Sequence, residues 1–505
     1  MSIATPVCPA PTGTPTDAPV DALTGAAPAS AADAVPPAPT DVTDEPALLA
    51  VVGADTLVPL LDGRRVTYAN LDVAASAPAL DVVAQRVAQA LPLYASVHRG
   101  AGYLSQVSTA LYEASRRTIG EFVGARADDV TIITRNTTDS LNLLAGCVPA
   151  EVGGGRVLVV DVEHHANLLP WSAAPGGATV MQGGASVAAT LDALRAELAA
   201  RPYALVAVTG ASNVTGEALP LPQVVAAARA AGARVVLDGA QLVPHRGVDI
   251  AALDVDYVAF SGHKTYAPYG AGALVGRRDW LDAGRPHLAG GGAVRSVACE
   301  LAGAATYSTD VTWAPSPARH EAGSPNVIGA VALAAACEAL AALEPEVLHA
   351  HEARLRARLV AGLSALPGVT VLTVWDDAVD PVGVVTFAVE GHDPGLVAAY
   401  LSAEHGIGVR DGKFCAHPLL SRLGHGSGAV RASVGVGTTG EHVERLVAAL
   451  AQYVARGTAA PYEVVDGCWV VRDDQRPLPD VTGLSGLVAT AAVANTPLAG
   501  GCAGA

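Results

Sequence analysis

Short apolar, β-prone runs alternate with helical patterns through the middle of the chain. The helical stretch Val224–Ala231, for example, separates two such runs. This alternation predicts right-handed βαβ crossovers and a mostly parallel sheet covered by helices on both faces, an α/β fold. The predicted strands are Val130–Thr134, Arg156–Asp161, Leu205–Gly210, Arg234–Asp238, Tyr257–Ser261 and Ala271–Val275.

The pattern changes after Asn326, where longer helical periodicities and isolated strand signals replace the regular alternation. We therefore predict a large domain at residues 46–325 and a smaller α+β domain at residues 326–457. The cleft between two such domains is the expected active site. The predicted elements of the smaller domain are the helix Val327–Leu343, the strands Val369–Val374 and Val382–Val389, and the helix Glu441–Arg456.

The two ends of the chain differ from the middle. Residues 1–45 are rich in Ala, Pro and Thr and contain no Lys or Arg, a composition that predicts disorder and does not match a signal peptide. Residues 477–505 are predicted to be a flexible tail. Between them and the folded body, residues 458–476 contain two β-prone runs, Tyr462–Val465 and Cys468–Val471, joined by Asp466-Gly467. This pattern predicts an appended β-hairpin of unassigned role.

Charge and cysteine usage narrow the class of partner. The 505 residues carry a formal charge of −17, which argues against nucleic acid or an anionic membrane as partner. The best apolar run, Val327 to Cys337, is too short to span a bilayer. The seven cysteines are scattered and contain no CxxC pair, so we expect a reducing, cytoplasmic location without a disulfide framework or a zinc site.

Two polar residues that follow predicted strands carry the most specific chemical signal. Asp238 ends the run Val235-Val236-Leu237, and Lys264 follows the run that ends at Ser261. Open α/β sheets bind their ligands at the carboxyl ends of such strands. A lysine that forms a Schiff base and an aspartate that keeps a pyridine nitrogen protonated are what pyridoxal 5'-phosphate chemistry requires. The pair therefore predicts that cofactor.

Three further polar clusters follow strands of the same predicted sheet. Thr137 and Thr138 stand at a helix start, where hydroxyls and backbone N–H groups bind phosphate. One histidine of the pair His164-His165 is placed to lie over a flat ring and to shuttle protons, and Asn213 to hydrogen-bond the ring oxygen of the cofactor. A metal site at His164-His165 is disfavoured because no carboxylate or cysteine at ligand spacing completes it.

The motifs together resemble the class V aminotransferase family of pyridoxal phosphate enzymes, fold type I. Within that family the chain is similar to cysteine desulfurases and selenocysteine lyases of the group that serves iron–sulfur cluster assembly. The resemblance covers about residues 65 to 455 and implies a sheet of the seven-stranded type. The segments that carry it are residues 70–76, 96–100, 163–171, 212–216, 238–241, 261–264, 321–326 and 431–433.

The resemblance implies roles for particular residues. Lys264 would hold the cofactor and later act as a base, Asp238 would pair with the pyridinium, and His164 would stack on the ring. Gln241 and Asn213 would contact the phenolic oxygen. The implied phosphate ligands are Thr137, Thr138, Ser261 and His263, and the implied substrate ligands are Arg431 for the carboxylate, with Arg410, His98 and Arg99.

Cys415 decides the type of reaction. A cysteine on a loop beside Lys413 and Arg410 has the positive surroundings that lower a thiol pKa. Its position also matches the sulfur-accepting cysteine of the family, so the resemblance implies a persulfide on Cys415. The family commonly has Gly-His-His-Cys here, where this chain has Gly-Lys-Phe-Cys after Asp411. Phe414 cannot move a proton, and Asp411 opposes thiolate formation.

The predicted reaction is conversion of L-cysteine to L-alanine, with the sulfur passed to Cys415 and then to an acceptor protein. The resemblance also implies a homodimer. The same residues fit a carbon–sulfur lyase, a selenocysteine lyase, or a class V aminotransferase or epimerase acting on another amino acid. A non-catalytic scaffold with this fold is disfavoured by the intact set Lys264, Asp238 and Arg431.

Overall fold

The computed structural model describes residues 45–98, 100–303 and 306–477, which belong to one compact unit. The predicted tails, residues 1–45 and 477–505, lie almost wholly outside these ranges. Two sheets, of seven and four strands, organise the described chain. The division into domains at residues 46–325 and 326–457 stays a prediction.

Strands and helices are numbered here in chain order. The strands are β1 Leu57–Pro59, β2 Arg65–Thr67, β3 Ala69–Asn70, β4 Asp129–Thr134, β5 Val157–Val160, β6 Ala178–Met181, β7 Leu205–Thr209, β8 Arg234–Asp238, β9 Tyr257–Ser261, β10 Gly272–Arg277, β11 Val294–Leu301, β12 Tyr307–Trp313, β13 Val369–Val371, β14 Val384–Val389, β15 Ile407–Gly408, β16 Arg410–Gly412, β17 Ala429–Ser433, β18 Tyr462–Val465 and β19 Cys468–Val471. The helices are α1 Asp81–Ala90, α2 Tyr103–Phe122, α3 Thr137–Ala145, α4 Val187–Ala200, α5 Leu221–Ala230, α6 Arg278–Ala283, α7 Val327–Ala341, α8 Pro345–Ser364, α9 Pro394–His405, α10 His417–Arg422 and α11 Gly440–Arg456.

The large sheet has the order β4-β10-β9-β8-β7-β5-β6. The pairs from β9 through β8, β7 and β5 to β6 are parallel, whereas β10 runs antiparallel to both β9 and β4. The prediction of a mostly parallel sheet of seven strands is therefore confirmed. Because β10 alone is reversed, the carboxyl ends of β4, β5, β7, β8 and β9 lie at the same edge of the sheet.

The continuous apolar runs form the centre of this sheet because both of their faces are covered. All four residues of β5 are buried, and so are all five of β7 and of β9. Along β5, Leu158 and Val160 face one hydrophobic cluster, while Val157 and Val159 face another on the opposite side. Alternate side chains of a strand point to opposite faces, so an unbroken apolar run is what a doubly covered strand needs.

The small sheet has the order β13-β14-β17-β16 and packs against helices α8 and α9, and α11 packs against both of these helices. Its hydrophobic cluster includes Leu355 and Leu359 of α8 and Leu446 and Leu450 of α11. The long apolar helix α7, in contrast, packs against α1 and α2 and joins the large cluster that includes one face of the seven-stranded sheet.

A short N-terminal strand connects the two sheet regions. Strand β3 pairs in parallel with β15, with Ala69 opposite Ile407 and Asn70 opposite Gly408. The chain then returns towards the large sheet, where the N–H of Ala77 donates to the carbonyl oxygen of His263 at 2.8 Å. The N-terminal segment therefore contributes to the walls of the region between the two sheets.

The predicted C-terminal hairpin is confirmed. Strands β18 and β19 pair antiparallel, with Val465 opposite Cys468. The two turn residues, Asp466 and Gly467, have φ of 50° and 82°. A two-residue turn with positive φ at both positions matches the twist of a hairpin, and Asp-Gly is a preferred pair for it.

One finding bears on membranes. Within the described ranges, no single helix combines the length and the apolar composition needed to cross a bilayer; only α7 and α8 taken together, bent by 89°, pass that test.

Candidate active site

A cavity of about 1010 Å³ opens at the carboxyl ends of the large-sheet strands. Residues of the small-sheet region, including those of β16 and the loop after it, form its other wall. Twelve of the fourteen residues predicted for the site line this cavity. They are Thr137, Thr138, His164, Asn213, Asp238, Gln241, Ser261, His263, Lys264, Arg410, Cys415 and Arg431.

Lys264 follows strand β9, and Asp238 belongs to the neighbouring parallel strand β8. Asp238 is the last residue of β8, and its buried carboxylate accepts a hydrogen bond from the N–H of Ala240 at 3.0 Å. Burial raises the pKa of Asp238. Burial lowers the pKa of Lys264 to about 8, against an opposing effect of Asp238. A lysine of this kind has a larger share of neutral, nucleophilic amine at neutral pH than an exposed one.

The sequence contains two lysines, Lys264 and Lys413, and both line this cavity. All other cations of the site are arginines, which cannot act as amine nucleophiles. Amine chemistry by a lysine side chain is therefore restricted to these two positions.

Hydroxyl groups and the start of a helix lie together where β4 leads into α3. The N–H of Thr137 donates to Oγ of Ser261 at 2.8 Å, and the two hydroxyl oxygens are 2.7 Å apart. Asn136 caps this helix by accepting from the N–H of Asp139. The backbone of Asn136 lies close to β10 at Gly272. Glycine permits this approach, because a Cβ at position 272 would lie 2.7 Å from Cα of Asn136. Thr137 and Thr138 thus present hydroxyls at the positive end of a helix, a combination that binds phosphate.

His164 contributes an uncharged ring to the cavity wall. Its Nδ1 accepts from the N–H of Ala166 at 3.0 Å, which leaves Nε2 to carry the hydrogen. Burial, followed by the positive charge of Lys264, lowers the pKa of His164 to about 3. A neutral imidazole held in this way is suited to stacking on a flat ring, and its low basicity does not favour the predicted proton shuttle.

Two arginines face each other across β16 and β17, at the small-sheet side of the cavity. Arg410 is the register partner of Arg431. Arg431 is buried; its Nη1 donates to the carbonyl oxygen of Asn213 at 2.9 Å, and its Nη2 donates to Oδ1 of Asp72 at 3.2 Å. Among the described residues, Nε of Arg431 has no hydrogen-bond partner. A buried guanidinium whose Nε none of the described residues satisfies, with a second arginine opposite it, favours an anionic ligand such as a carboxylate.

Cys415 lies on a loop whose backbone is held by the large-sheet side. Nδ2 of Asn213 donates to the carbonyl oxygen of Phe414, and the N–H of His165 donates to that of Cys415, both at 2.8 Å. Phe414 and Cys415 have φ of 52° and 53°. Consecutive non-glycine residues in the left-handed region are strained by about 1–3 kcal/mol each, and such strain is concentrated at functional sites. The loop is therefore held in a defined conformation that places the Cys415 side chain at the cavity.

One predicted substrate residue, His98, is not brought into the cavity. His98 is not among its lining residues; its Nε2 lies 2.9 Å from Oε1 of Glu113, and its ring makes an edge contact with Tyr112. Arg99 lies outside the described residues.

Comparison with known proteins gives the family. The profile of the family Aminotransferase class-V matches residues 69–446. The chain belongs to the class-V aminotransferase family. The matched range begins at β3 and ends within α11, and it includes every residue that lines the cavity except Tyr68 and Cys468.

Individual members of the class-V aminotransferase family are similar over most of the chain. A cysteine desulfurase of Pectobacterium atrosepticum is 37% identical over 396 residues, which are 77% of this chain and 93% of that protein. A probable cysteine desulfurase of Mycobacterium leprae is 38% identical over 70% of this chain and 83% of its own length. The crystal structure of the cysteine desulfurase CsdA from Escherichia coli superposes with a TM-score of 0.67 at 33% identity, covering 77% of this chain and 95% of that one. The fold is that of fold type I pyridoxal phosphate enzymes, and the protein is an enzyme.

The cavity of this class-V aminotransferase family member fits pyridoxal 5'-phosphate. Oε1 of Gln241 is buried without a partner among the described residues, while its Nε2 donates to the carbonyl oxygen of Ala74 at 2.8 Å. A polar atom left unpaired beside an open cavity is costly unless a ligand or water satisfies it. An aldehyde-reactive amine, a buried carboxylate and a helix N-terminus with two threonines lie around the same space. These groups match the aldehyde, the ring nitrogen and the phosphate of the cofactor.

Loading of apoenzyme with pyridoxal phosphate is expected to become faster as pH rises through about 8, because only the unprotonated Nζ of Lys264 attacks an aldehyde. The check is the rate of appearance of the visible absorption band at saturating cofactor between neutral and alkaline pH. Asp238 raises the pKa of Lys264, so Asp238→Asn should move the midpoint to lower pH. A midpoint near 10.5, the ordinary lysine value, would contradict the role of burial.

Sequence reasoning missed several groups that shape the site. Asp72 contacts Arg431, and Tyr68 and Cys468 line the cavity. Glu163 is completely buried behind His164, where its carboxyl accepts from Nδ2 of Asn167 at 2.7 Å and from the N–H of Thr209 at 2.9 Å. Burial raises the pKa of Glu163 to about 8. The sequence signal for Glu163 is its position just after strand β5. That position does not show that its carboxyl group binds the backbone N–H of Thr209 at the end of β7.

Proposed function

We propose that this protein is a pyridoxal 5'-phosphate-dependent cysteine desulfurase that converts L-cysteine to L-alanine with transfer of sulfur to Cys415. The observation that carries the proposal is that one cavity is lined by Lys264, Asp238, Arg431 and Cys415. A nucleophilic amine, a ring-directed carboxylate, a carboxylate-binding arginine and a thiol are the four groups that this reaction needs. The similarity to cysteine desulfurases over 93% of one such protein supports the same reaction.

The cofactor would be held by groups from both sides of the large-sheet edge. Lys264 would bind its aldehyde carbon, Asp238 its ring nitrogen, and His164 its ring face. Thr137, Thr138, Ser261 and His263 would bind the phosphate, and Gln241 and Asn213 the phenolic oxygen. When bound, the cofactor supplies an electron sink that makes the α-proton of an amino acid acidic.

The protein would provide placement and proton transfer. Arg431, with Arg410 opposite it, would orient the substrate carboxylate by hydrogen bonds in a planar fork. Nζ of Lys264 would take the α-proton and return a proton to the product, for which its lowered pKa is suited. The thiolate of Cys415 would attack the substrate sulfur, form a persulfide and leave the carbon skeleton of alanine.

A carbon–sulfur lyase is the second candidate, favoured by one observation. Phe414, which precedes Cys415, is buried with its ring centroid 5.2 Å from Cζ of Arg431, and it carries no titratable group. Because phenylalanine at position 414 cannot transfer a proton, elimination of the substrate sulfur as hydrogen sulfide competes with its capture by Cys415. Pyruvate and ammonia would then replace alanine as products.

Product analysis separates the two candidates. Purified holoenzyme incubated with L-cysteine and a reductant is expected to release alanine and sulfide in equal amounts. Pyruvate with ammonia would instead indicate a lyase, and amino-group exchange that depends on a keto acid would indicate an aminotransferase. L-selenocysteine and other sulfur amino acids, assayed in parallel, rank the substrates by kcat/KM.

We also propose a homodimer, a sulfur-acceptor protein as partner, and a cytoplasmic location. The dimer is supported by the exposed ribbon β11–β12, on which Val297, Leu301 and Tyr307 are exposed apolar side chains. In the family a neighbouring subunit contributes to the phosphate site, and the segment of this chain that is partly like the contributing one, residues 310–313, lies on β12. Light scattering of the purified protein measures the subunit number directly.

A further inference from the structure

The C-terminal hairpin β18–β19 is fixed to the body of the protein at helix α9. Oε1 of Glu404, near the end of α9, accepts from the hydroxyl of Tyr462 at 3.1 Å. The same carboxylate accepts from the N–H groups of Ala459 and Ala460 at 3.1 Å and 3.3 Å. Three donors on one carboxylate anchor the start of the hairpin, so its position relative to α9 is defined.

The far end of the hairpin meets the active-site wall. Strands β19 and β16 both pack against α9. At the start of that helix, a Cβ built on Gly395 would lie 3.0 Å from Cδ1 of Trp469 and 3.5 Å from Oδ2 of Asp411. Trp469 of the hairpin and Asp411 of the wall therefore converge on one glycine. The Cys415 loop begins directly after β16.

Cys468, the residue before Trp469, lines the same cavity as Cys415. Five cysteines lie within the described ranges, and these two are the ones found in the cavity wall. Cys147 and Cys337 are buried elsewhere, and Cys299 is exposed on β11. Cys468 is half-buried and one residue from the hairpin turn, so its side chain is close to both the cavity and the solvent.

We propose that Cys468 is a second sulfur-accepting site, which takes the sulfane sulfur from Cys415 and presents it at the edge of the cavity. The inference rests on the proposed desulfurase function, because Cys415 must first carry a persulfide. It assigns a purpose to the hairpin, which lies beyond the part of the chain that matches the family profile.

The transfer is balanced without an oxidant or a reductant. The thiolate of Cys468 attacks the terminal sulfur of the Cys415 persulfide, a new S–S bond forms on Cys468, and the S–S bond at Cys415 breaks. Cys415 leaves as a thiolate and is ready for the next substrate. The proton that Cys468 gives up is matched by the thiolate regenerated at Cys415, and the terminal sulfur keeps its own hydrogen.

Persulfide mapping during a single turnover tests the transfer. Holoenzyme is mixed with one equivalent of L-cysteine without reductant, quenched at intervals with a thiol-alkylating reagent, digested and analysed by mass spectrometry. The Cys415 peptide is expected to gain one sulfur atom first, and the Cys468 peptide to gain it as the Cys415 signal declines. Cys415→Ala should abolish the extra sulfur on both peptides, whereas Cys468→Ser should make it persist on Cys415.

Cys299 provides the matched control, since it is an exposed cysteine outside the cavity. The peptide that contains Cys299 should gain no extra sulfur atom on the same timescale. The variant Cys299→Ser should leave the transfer from Cys415 to Cys468 intact. Equal labelling of Cys299 and Cys468 would show unselective exchange and overturn the inference. A persulfide that forms on Cys415 and never appears on Cys468 would also overturn the inference, but it would leave the proposed desulfurase function supported. If neither alanine nor a Cys415 persulfide forms, the proposed function fails and the relay fails with it.

Discussion

Replacement of Lys264 by alanine is expected to leave the purified protein colourless after exposure to pyridoxal phosphate and to lower turnover of L-cysteine at least about a thousandfold. The variant loses both the amine that would bind the aldehyde and the base for the α-proton, and general base catalysis alone contributes ~10²–10⁴-fold. Absorbance spectra and initial rates of alanine formation measure the two losses.

The presence of two lysines in the whole sequence makes this test unusually direct. Borohydride reduction of the loaded wild-type protein should fix the cofactor on the peptide that contains Lys264. Lys413→Ala is the matched variant, because Lys413 lines the same cavity, and it should retain the reducible adduct. An adduct on the Lys413 peptide, or a yellow and active Lys264→Ala protein, would refute the assignment.

Cys415→Ala is expected to keep the cofactor spectrum but to lower formation of alanine and sulfide from L-cysteine by about two orders of magnitude or more, as expected when a covalent nucleophile is removed. Sγ of Cys415 is not among the proposed cofactor ligands. The extent and the rate of pyridoxal phosphate loading should therefore stay close to those of the wild type. Steady-state rates, together with titration of sulfane sulfur on the protein, give the result.

Backbone strain at position 415 permits a control on folding. Cys415 has a φ of 53°, a conformation that glycine adopts freely and alanine does not. Cys415→Gly should therefore be at least as stable as Cys415→Ala to thermal unfolding and equally inactive. Full turnover by either variant would remove the persulfide step and favour the lyase, in which this thiol is dispensable.

The central strands could be predicted from the sequence because buried parallel strands appear as unbroken apolar runs. Strands β8 and β9 have the predicted bounds, and β4, β5, β7 and β10 differ by one or two residues at their ends. The edge strand β6 was missed because only Met181 of its four residues is buried. The ribbon β11–β12 was missed for the same reason, since exposed strands do not need an apolar pattern.

The candidate site was predictable to the extent that its residues follow strands. Asp238, Lys264, Thr137 and His164 lie at carboxyl ends, where the topology of an α/β sheet brings ligands together. The orientation of β10 and the left-handed backbone of Phe414 and Cys415 depend on long-range packing, which local patterns do not encode. The approach of Cys468 to the cavity was hidden for a similar reason, because it depends on how the hairpin docks on α9.

The backbone bonds of the Cys415 loop have a consequence for access to the cavity. Nδ2 of Asn213 donates to the carbonyl oxygen of Phe414 and the N–H of His165 donates to that of Cys415, so the loop is joined to the large-sheet wall at two adjacent points. A hinge motion that carried this loop away with the small-sheet region would break both hydrogen bonds. Entry to the cavity without that loss requires movement of other segments at the rim, and substrate range can change through those segments while the loop keeps its conformation.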